Sequence, residues 1–441
     1  MKYISTGQKS QPLDLPQAMI SSIADDGGLF MPEHLPAIPR AFFNNFGAMS
    51  FPEIAYVPAS LLFSDDVQPG TLKRIAESSF DFPLPIRQLD HNLFVAELFH
   101  GPTLAVKDFS VRFMARMMGA MSAENPAAFG AAGKLHVLVA TTGNTGSAIA
   151  NGFARTPGVE VYILFPRGTA GRQLEAQFTT IGHNIHALEV HGTIDDCQAM
   201  VSQAFADTNL RSQVSLTSAN SVNVVRVLAQ SFMYFYIMSR VREMLAPGTP
   251  VSVAIPSGNL GNLTGALIAQ KMGLDFDRII AAENANCYLS RFMRSGTSTI
   301  PSRAIPTLAY AADKGSPTNL ARVLHLTGNS VDGLRRAIDA VSVDDAAIID
   351  AVNHSMANYG YIIDPHTALA YQAMRRSLQP GHAGVVLATA HPAKSLTAMT
   401  AITGKPMELP LQPTRFMDGT DMRQRIAPSY EALRRIILKN A

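Results

Sequence analysis

Lys107 stands in ELFHGPTLAVKDFSVRFMARM, with Leu104, Ala105 and Val106 before it and Phe109 close behind. An amine in apolar surroundings gives up its proton more readily, because desolvation penalises the charged form. A general base or a Schiff-base nucleophile needs that property. The competing reading is a surface lysine whose stem lies along apolar neighbours while its head stays in water. Two glycine-rich loops offer different chemistry. Ser257-Gly258-Asn259-Leu260-Gly261-Asn262 follows the apolar run VSVAI and precedes a helical pattern. Glycine lets the backbone approach closely, and the N–H groups opening the next helix carry partial positive charge, so a phosphate can be held there without Lys or Arg. Thr141-Thr142-Gly143-Asn144-Thr145-Gly146-Ser147 has the same construction after LHVLVA. Neither loop has the GKS/T of a P-loop, and the second lacks the GxGxxG spacing of a dinucleotide site. Two such loops suit two anionic groups, for example a cofactor phosphate and a substrate carboxylate; two tight turns are the plainer alternative.

His183, His186 and His191 lie close together, but no acidic partner or HExxH pattern accompanies them. They read as solvated positions around a strand, and no catalytic metal is expected.

These residues need a scaffold. LHVLVA (135–140), VEVYILF (159–165), VSVAI (251–255) and GVVLAT (384–389) are short, continuous apolar runs, as expected of strands covered on both faces. Helical patterns follow at 147–154, 263–272 and 367–376, the last introduced by Asp364-Pro365 as N-cap and first residue. The longest helix is expected from near Ser221 to just before Pro247, with FMYFYIM (232–238) as its buried core. Alternating strands and helices give a mostly parallel α/β sheet, in which ligands sit beyond the carboxyl ends of the strands, where the loops fall. The proline-rich stretch before residue 90 reads as a separate N-terminal region, and a final helix is expected near 429–439, packing or making an oligomer contact.

The 441 residues are ample for a large core, and 36 Lys+Arg against 34 Asp+Glu leave no electrostatic footprint for nucleic acid or a membrane surface. Any anion must be bound locally. Cys197 and Cys287 are far apart with no CxxC spacing, which speaks against a disulfide framework or a cysteine zinc site. The polar start MKYISTGQKS lacks the apolar stretch of a secretory leader, and no apolar run is long enough to span a membrane, so a cytoplasmic location is expected.

Taken in order, ADDGGLFMPE, ELFHGPTLAVKDF, ATTGNTGSA, SANSVNVVR (218–226), PSGNLGN, DPHTALAY (364–371) and TAHPAK (389–394) resemble the threonine synthases, pyridoxal-phosphate enzymes of the tryptophan-synthase-β-like fold type II. The resemblance covers nearly the whole chain, and FHGPTLAxKDF is its most specific part. It implies two α/β lobes with mostly parallel sheets, the cofactor in the cleft between them, and an N-terminal region. The expected divisions are 1–90, then 91–225 as the smaller lobe with Lys107 and the TTGNTG loop, then 226–441 as the larger lobe with the SGNLGN loop and C-terminal helix.

The resemblance further implies that Lys107 carries pyridoxal 5'-phosphate and then shuttles protons. Gly258, Asn259, Leu260, Gly261 and Asn262 would cradle the cofactor phosphate, Asn144 would lie beside its phenolic oxygen, and Thr389 would bond its pyridine nitrogen. A hydroxyl there cannot keep the ring protonated as an aspartate would, so the cofactor becomes a tempered electron sink. Thr141, Thr142 and Thr145 would meet the substrate carboxylate. Ser218, Asn220, Asn223 and Arg226 are the candidates for the substrate phosphate, Arg226 foremost because guanidinium meets phosphate in a bidentate fork. The implied reaction turns O-phospho-L-homoserine and water into L-threonine and phosphate, in a monomer or homodimer. A phospho-lyase releasing a 2-oxo acid, or a non-catalytic metabolite-binding relative, are the alternatives. The chain departs from the usual family pattern at Thr142 and Asn144, at Glu283-Asn284-Ala285-Asn286-Cys287, and at Ser5-Thr6-Gly7.

Overall fold

The computed structural model describes residues 1–129, 134–168, 172–297, 304–405, 407, 416 and 418–441. The apolar runs form two sheets. The larger has six strands in the spatial order Asp339–Ser342, Ile279–Glu283, Val251–Pro256, Ala383–Ala388, Leu93–Glu97 and Ile86–Asp90. All neighbours are parallel except the last two, which form an antiparallel pair. The smaller sheet is wholly parallel, in the order Gln424–Ile426, Ile185–Val190, Val159–Pro166, Leu135–Ala140 and Ser215–Ser218. The central strands are buried along nearly their whole length, which is why their sequences are continuously apolar rather than alternating.

The sheets do not divide the chain at the expected boundaries. Leu93–Glu97, expected in the smaller lobe, pairs with Ala383–Ala388 in the larger sheet. Gln424–Ile426, expected in the larger lobe, pairs with Ile185–Val190 in the smaller one. The final helix, Tyr430–Lys439, follows it there and buries Leu433 and Ile437 against Leu188, Met200 and Leu216. Strand pairing joins segments hundreds of residues apart, and contiguous divisions miss that.

The expected long helix after Ser221 is two helices, Val224–Ala229 and Phe232–Glu243. The Ser231 hydroxyl donates to the Leu228 carbonyl at 2.7 Å, and the backbone closes into three-residue turns at Gln230 and Ser231, so the ladder breaks there. The FMYFYIM stretch is buried in the second helix. The longest described helix is instead Lys107–Glu124. Its flank meets helix Asn144–Phe153 at Gly152, where an added Cβ would come within 2.7 Å of Val111. That close approach packs the helix opened by Lys107 against the helix that follows the TTGNTG loop.

The N-terminal region is a ribbon of Tyr3–Ser5 with Phe30–Pro32 and helices including Leu15–Ser21, Phe51–Phe63 and Pro69–Ser79. It joins the main core through contacts such as Phe51 against Phe109 and Tyr236. Among the described residues no helix is long and apolar enough to cross a membrane.

Candidate active site

Every segment singled out for chemistry leaves the carboxyl end of a parallel strand. Leu93–Glu97 leads to Lys107, Leu135–Ala140 to TTGNTG, Ser215–Ser218 to SANSVNVVR, Val251–Pro256 to SGNLGN and Ala383–Ala388 to Thr389. That edge is where open α/β sheets bind ligands.

Lys107 opens its helix in a loop stitched to the Thr389 segment. Val106 N donates to the Thr389 carbonyl at 2.9 Å, His391 N donates to the Leu104 carbonyl at 3.1 Å, and Ala105 bridges Ala390. Leu104 takes a left-handed conformation, φ 58°, to make this turn. Buried Asp108 fixes the loop from inside, accepting from Thr103 N at 2.8 Å and Thr103 Oγ1 at 2.6 Å. Burial, reinforced by the positive charges of Arg226, Lys394 and Lys314, pulls the Lys107 amine down to about 7. Lys107 is half-buried as a whole, and the desolvation of its amine favours the depressed-base reading over the snorkelling one. Lys394 donates to the Thr103 carbonyl at 2.6 Å, and burial takes it down to about 8.

Arg226 is buried in helix Val224–Ala229. One Nη donates to the Ala219 carbonyl, while Nε has no partner among the described residues. Burial alone lowers it to about 10, with no carboxylate opposing the shift. A guanidinium held this way suits an anion, since a buried charge without a partner is costly.

The SGNLGN loop enters helix Gly261–Lys271 through Leu260 at φ 59°, and among the described residues no side chain caps that helix. Its first N–H groups are thus left to a ligand. Gly258 lies so close to Ala312 that an added Cβ would sit 2.6 Å from its Cα. Asn259 and Asn262 turn their side chains to the protein: Asn259 Nδ2 donates to Ser221 Oγ at 3.0 Å, and Asn262 Oδ1 accepts from the Tyr234 hydroxyl at 2.7 Å. Asn262 Nδ2, like Asn144 Oδ1, is buried without a partner among the described residues. A depressed lysine, an uncapped helix start and these unpartnered atoms fit a phosphorylated aldehyde cofactor.

In the TTGNTG loop, Thr141 Oγ1 accepts from Gly143 N and Gly146 N, which leaves its own hydrogen free, while Thr142 is exposed and Thr145 half-buried. Ser218 Oγ accepts from Asn220 N at 3.2 Å, so these two hold each other beside Arg226's segment. Asn223 has a different task from the expected one. It is fully buried, donates to the Met19 carbonyl at 2.8 Å and to Ser22 Oγ, and caps Val225 N.

Residues 80–390 match the family model described as pyridoxal-phosphate dependent enzyme, residues 2–80 the threonine synthase N terminus, and residues 367–437 the threonine synthase C-terminal region. The threonine synthase of Serratia marcescens is 36% identical over 410 residues, 93% of this chain and 92% of that protein. This chain belongs to the threonine synthase family. The Escherichia coli threonine synthase is 33% identical over 440 residues, the full length of both. Its crystal structure superposes over the whole of both chains with a TM-score of 0.87. The pyridoxal-phosphate-bound threonine synthase of Brucella melitensis reaches 0.92 at 27% identity, over 99% of this chain and 98% of that one. The fold is therefore pyridoxal-phosphate fold type II, and the family is pyridoxal-phosphate dependent.

In this threonine synthase family member the stretch Glu283 to Cys287, where the family pattern breaks, serves structure. Glu283 is buried and caps helix Tyr288–Ser295 through Leu289 N at 2.7 Å and Ser290 N at 2.8 Å. Asn284 and Asn286 bind Asp313 and the carbonyl of Ile305, pinning a segment that crosses the site. That segment carries Tyr310, Lys314, Thr318 and Asn319, none of which sequence reasoning singled out. No strand-to-loop pattern marks it; its one signal is the polar, turn-rich DKGSPTN before a helix. Among the described residues no three His, Cys, Asp or Glu side chains gather to hold a metal ion, and His186 bonds Glu160 at 2.9 Å.

Proposed function

We propose that this chain converts O-phospho-L-homoserine and water into L-threonine and phosphate. The observation that carries the reading is buried Arg226, whose Nε has no partner among the described residues; its charge, with those of Lys394 and Lys314, makes the surroundings of the Lys107 amine positive. A doubly charged phosphate ester with a carboxylate at its other end satisfies such a field, and the net charge of +2 is no obstacle because the donors are focused.

Lys107 would hold pyridoxal 5'-phosphate, with the backbone N–H groups of Gly258 to Asn262 on its phosphate, Thr389 at its ring nitrogen and Asn144 at its phenolic oxygen. When bound, this group supplies the electron sink for carbanion chemistry. Lys107, its amine lowered to about 7, is poised to take the substrate's α-proton and then a β-proton, and to return protons to the γ-carbon once phosphate has left and to the α-carbon at the end. Thr141, Thr142 and Thr145 orient the carboxylate. Arg226, with Ser218 and Asn220 beside it, holds the phosphate that leaves from the γ-carbon, and water adds at the β-carbon. Both cysteines are free thiols, which supports placing the reaction in the reducing cytoplasm.

Incubating the loaded protein with O-phosphohomoserine tests the reading. Threonine and phosphate in equal amounts are expected; 2-oxobutyrate without threonine would select the phospho-lyase instead.

A further inference from the structure

Arg322 is completely buried, far from any role the family motifs suggest, and makes no ion pair among the described residues. Its guanidinium has five N–H donors, and every one is matched. Nε and one Nη2 donor reach the Phe30 carbonyl at 3.1 Å each, and the second Nη2 donor reaches the Val222 carbonyl at 2.6 Å. Nη1 reaches the Ser221 carbonyl at 2.6 Å and Asn319 Oδ1 at 2.9 Å. Burying a cation this deeply is expensive, and apolar residues of similar size fill cores more cheaply. The arrangement therefore calls for a reason beyond packing.

Asn319, equally buried, carries the contact onward. Its Nδ2 donates to Ser221 Oγ at 3.0 Å and to the Asn259 carbonyl at 2.9 Å. Asn259 closes the ring: its Nδ2 donates to the same Ser221 hydroxyl, and its Oδ1 accepts from Thr318 N at 2.7 Å. One network thus ties the N-terminal ribbon at Phe30, the segment leading to Arg226, and the SGNLGN loop. The decisive bond is the one to the Asn259 carbonyl. In a trans peptide the C=O and the following N–H point in opposite directions. With that oxygen held by Asn319, the Leu260 N–H must face the other way, and Leu260 sits in the left-handed region needed to start the uncapped helix from that orientation.

We infer that Arg322 and Asn319 are positioning residues for the phosphate loop: they lock the Asn259–Leu260 peptide so that its N–H is offered to a phosphate. The inference rests on the proposal that this loop holds the cofactor phosphate. It also gives the N-terminal region a task, because the Phe30 carbonyl anchors the arginine.

The test is a titration of the cofactor-free full-length protein with pyridoxal 5'-phosphate and, separately, with pyridoxal, which lacks the phosphate. Asn319→Ala should weaken pyridoxal 5'-phosphate about tenfold, as expected for a lost buried hydrogen bond, and leave pyridoxal unchanged. Should that variant not fold, Ser221→Ala, which removes only a hydroxyl, decides with the same pair of aldehydes. Equal weakening of both aldehydes, as from a general structural defect, or no weakening, overturns the inference. Gly261→Asp keeps the underlying reading separate, since it brings a negative charge to the loop. Selective loss of pyridoxal 5'-phosphate in Gly261→Asp without loss in the network variants sinks only the inference. No selective loss in Gly261→Asp sinks the phosphate-loop reading and the inference with it.

Discussion

Asn144 Nδ2 donates a 2.8 Å hydrogen bond to the hydroxyl of Tyr310, joining the helix behind the smaller sheet to the segment leaving the larger one. Tyr310 is braced from behind by the His366 ring, 5.2 Å away at 78°. His366 is itself fixed. Its Nε2 accepts from Ala311 N at 3.1 Å, so Nδ1 carries the proton and donates to Asp364 at 2.6 Å. The contact orients Asn144 within the site. Tyr310→Phe should lower kcat/KM about three- to tenfold with the melting temperature nearly unchanged, because one partly exposed hydrogen bond is lost and no packing. Steady-state kinetics with a thermal melt check this, and unchanged kinetics would remove Tyr310 from the site.

Lys107 makes a prediction about pH. Only the neutral amine attacks an aldehyde, and its neutral fraction rises through the pKa. With that pKa lowered to about 7 by burial and neighbouring cations, the rate at which cofactor-free protein captures pyridoxal phosphate should climb to near neutrality and then level. A rate still climbing toward 10.5, the ordinary lysine value, would contradict the depressed amine. The sign for stability follows. The folded state binds fewer protons than the unfolded state between about 7 and 10.5, so the cofactor-free fold gains stability as pH rises across that window. Urea titrations at intervals of pH measure it.

Arg226→Met separates function from stability. With Arg226 in its proposed role on the substrate phosphate, losing that charged contact should lower kcat/KM about a hundredfold. Removing a buried cation with an unpartnered Nε should at the same time raise the melting temperature. A variant both slow and unstable would mean that Arg226 holds the fold rather than the substrate.

Glu283→Ala should do the reverse. The helix cap it provides to Leu289 N and Ser290 N is worth about 1 to 2 kcal/mol, so stability should fall by that amount while kcat and KM stay near wild type. Chemical denaturation and steady-state kinetics on the same preparation separate the two effects.

The parts most legible in the sequence were those fixed by short-range chemistry. Asp364 caps helix Pro365–Ser377 as its position before proline implies, bonding Thr367 N at 2.9 Å. The apolar runs are strands because continuous Val, Leu and Ile need cover on both faces. The helix break at Ser231 was hidden, since a serine inside an apolar helical pattern does not announce that its hydroxyl will take the Leu228 carbonyl. The roles of Arg322 and Asn319 were hidden for a different reason: their partners, Phe30, Ser221 and Asn259, lie far away in the chain and meet only on folding. The pairing of the strand before Lys107 with one almost three hundred residues later was hidden on the same ground.

The central claim is that Lys107, rather than any other amine in the cleft, bears the cofactor. Lys394 is the demanding competitor, since burial lowers it to about 8 and it reaches the Thr103 carbonyl in the same loop. Borohydride reduction of the loaded protein, followed by peptide mass analysis, distinguishes them. The pyridoxyl label should fall on Lys107; a label on Lys394, or on any other lysine, would contradict the account.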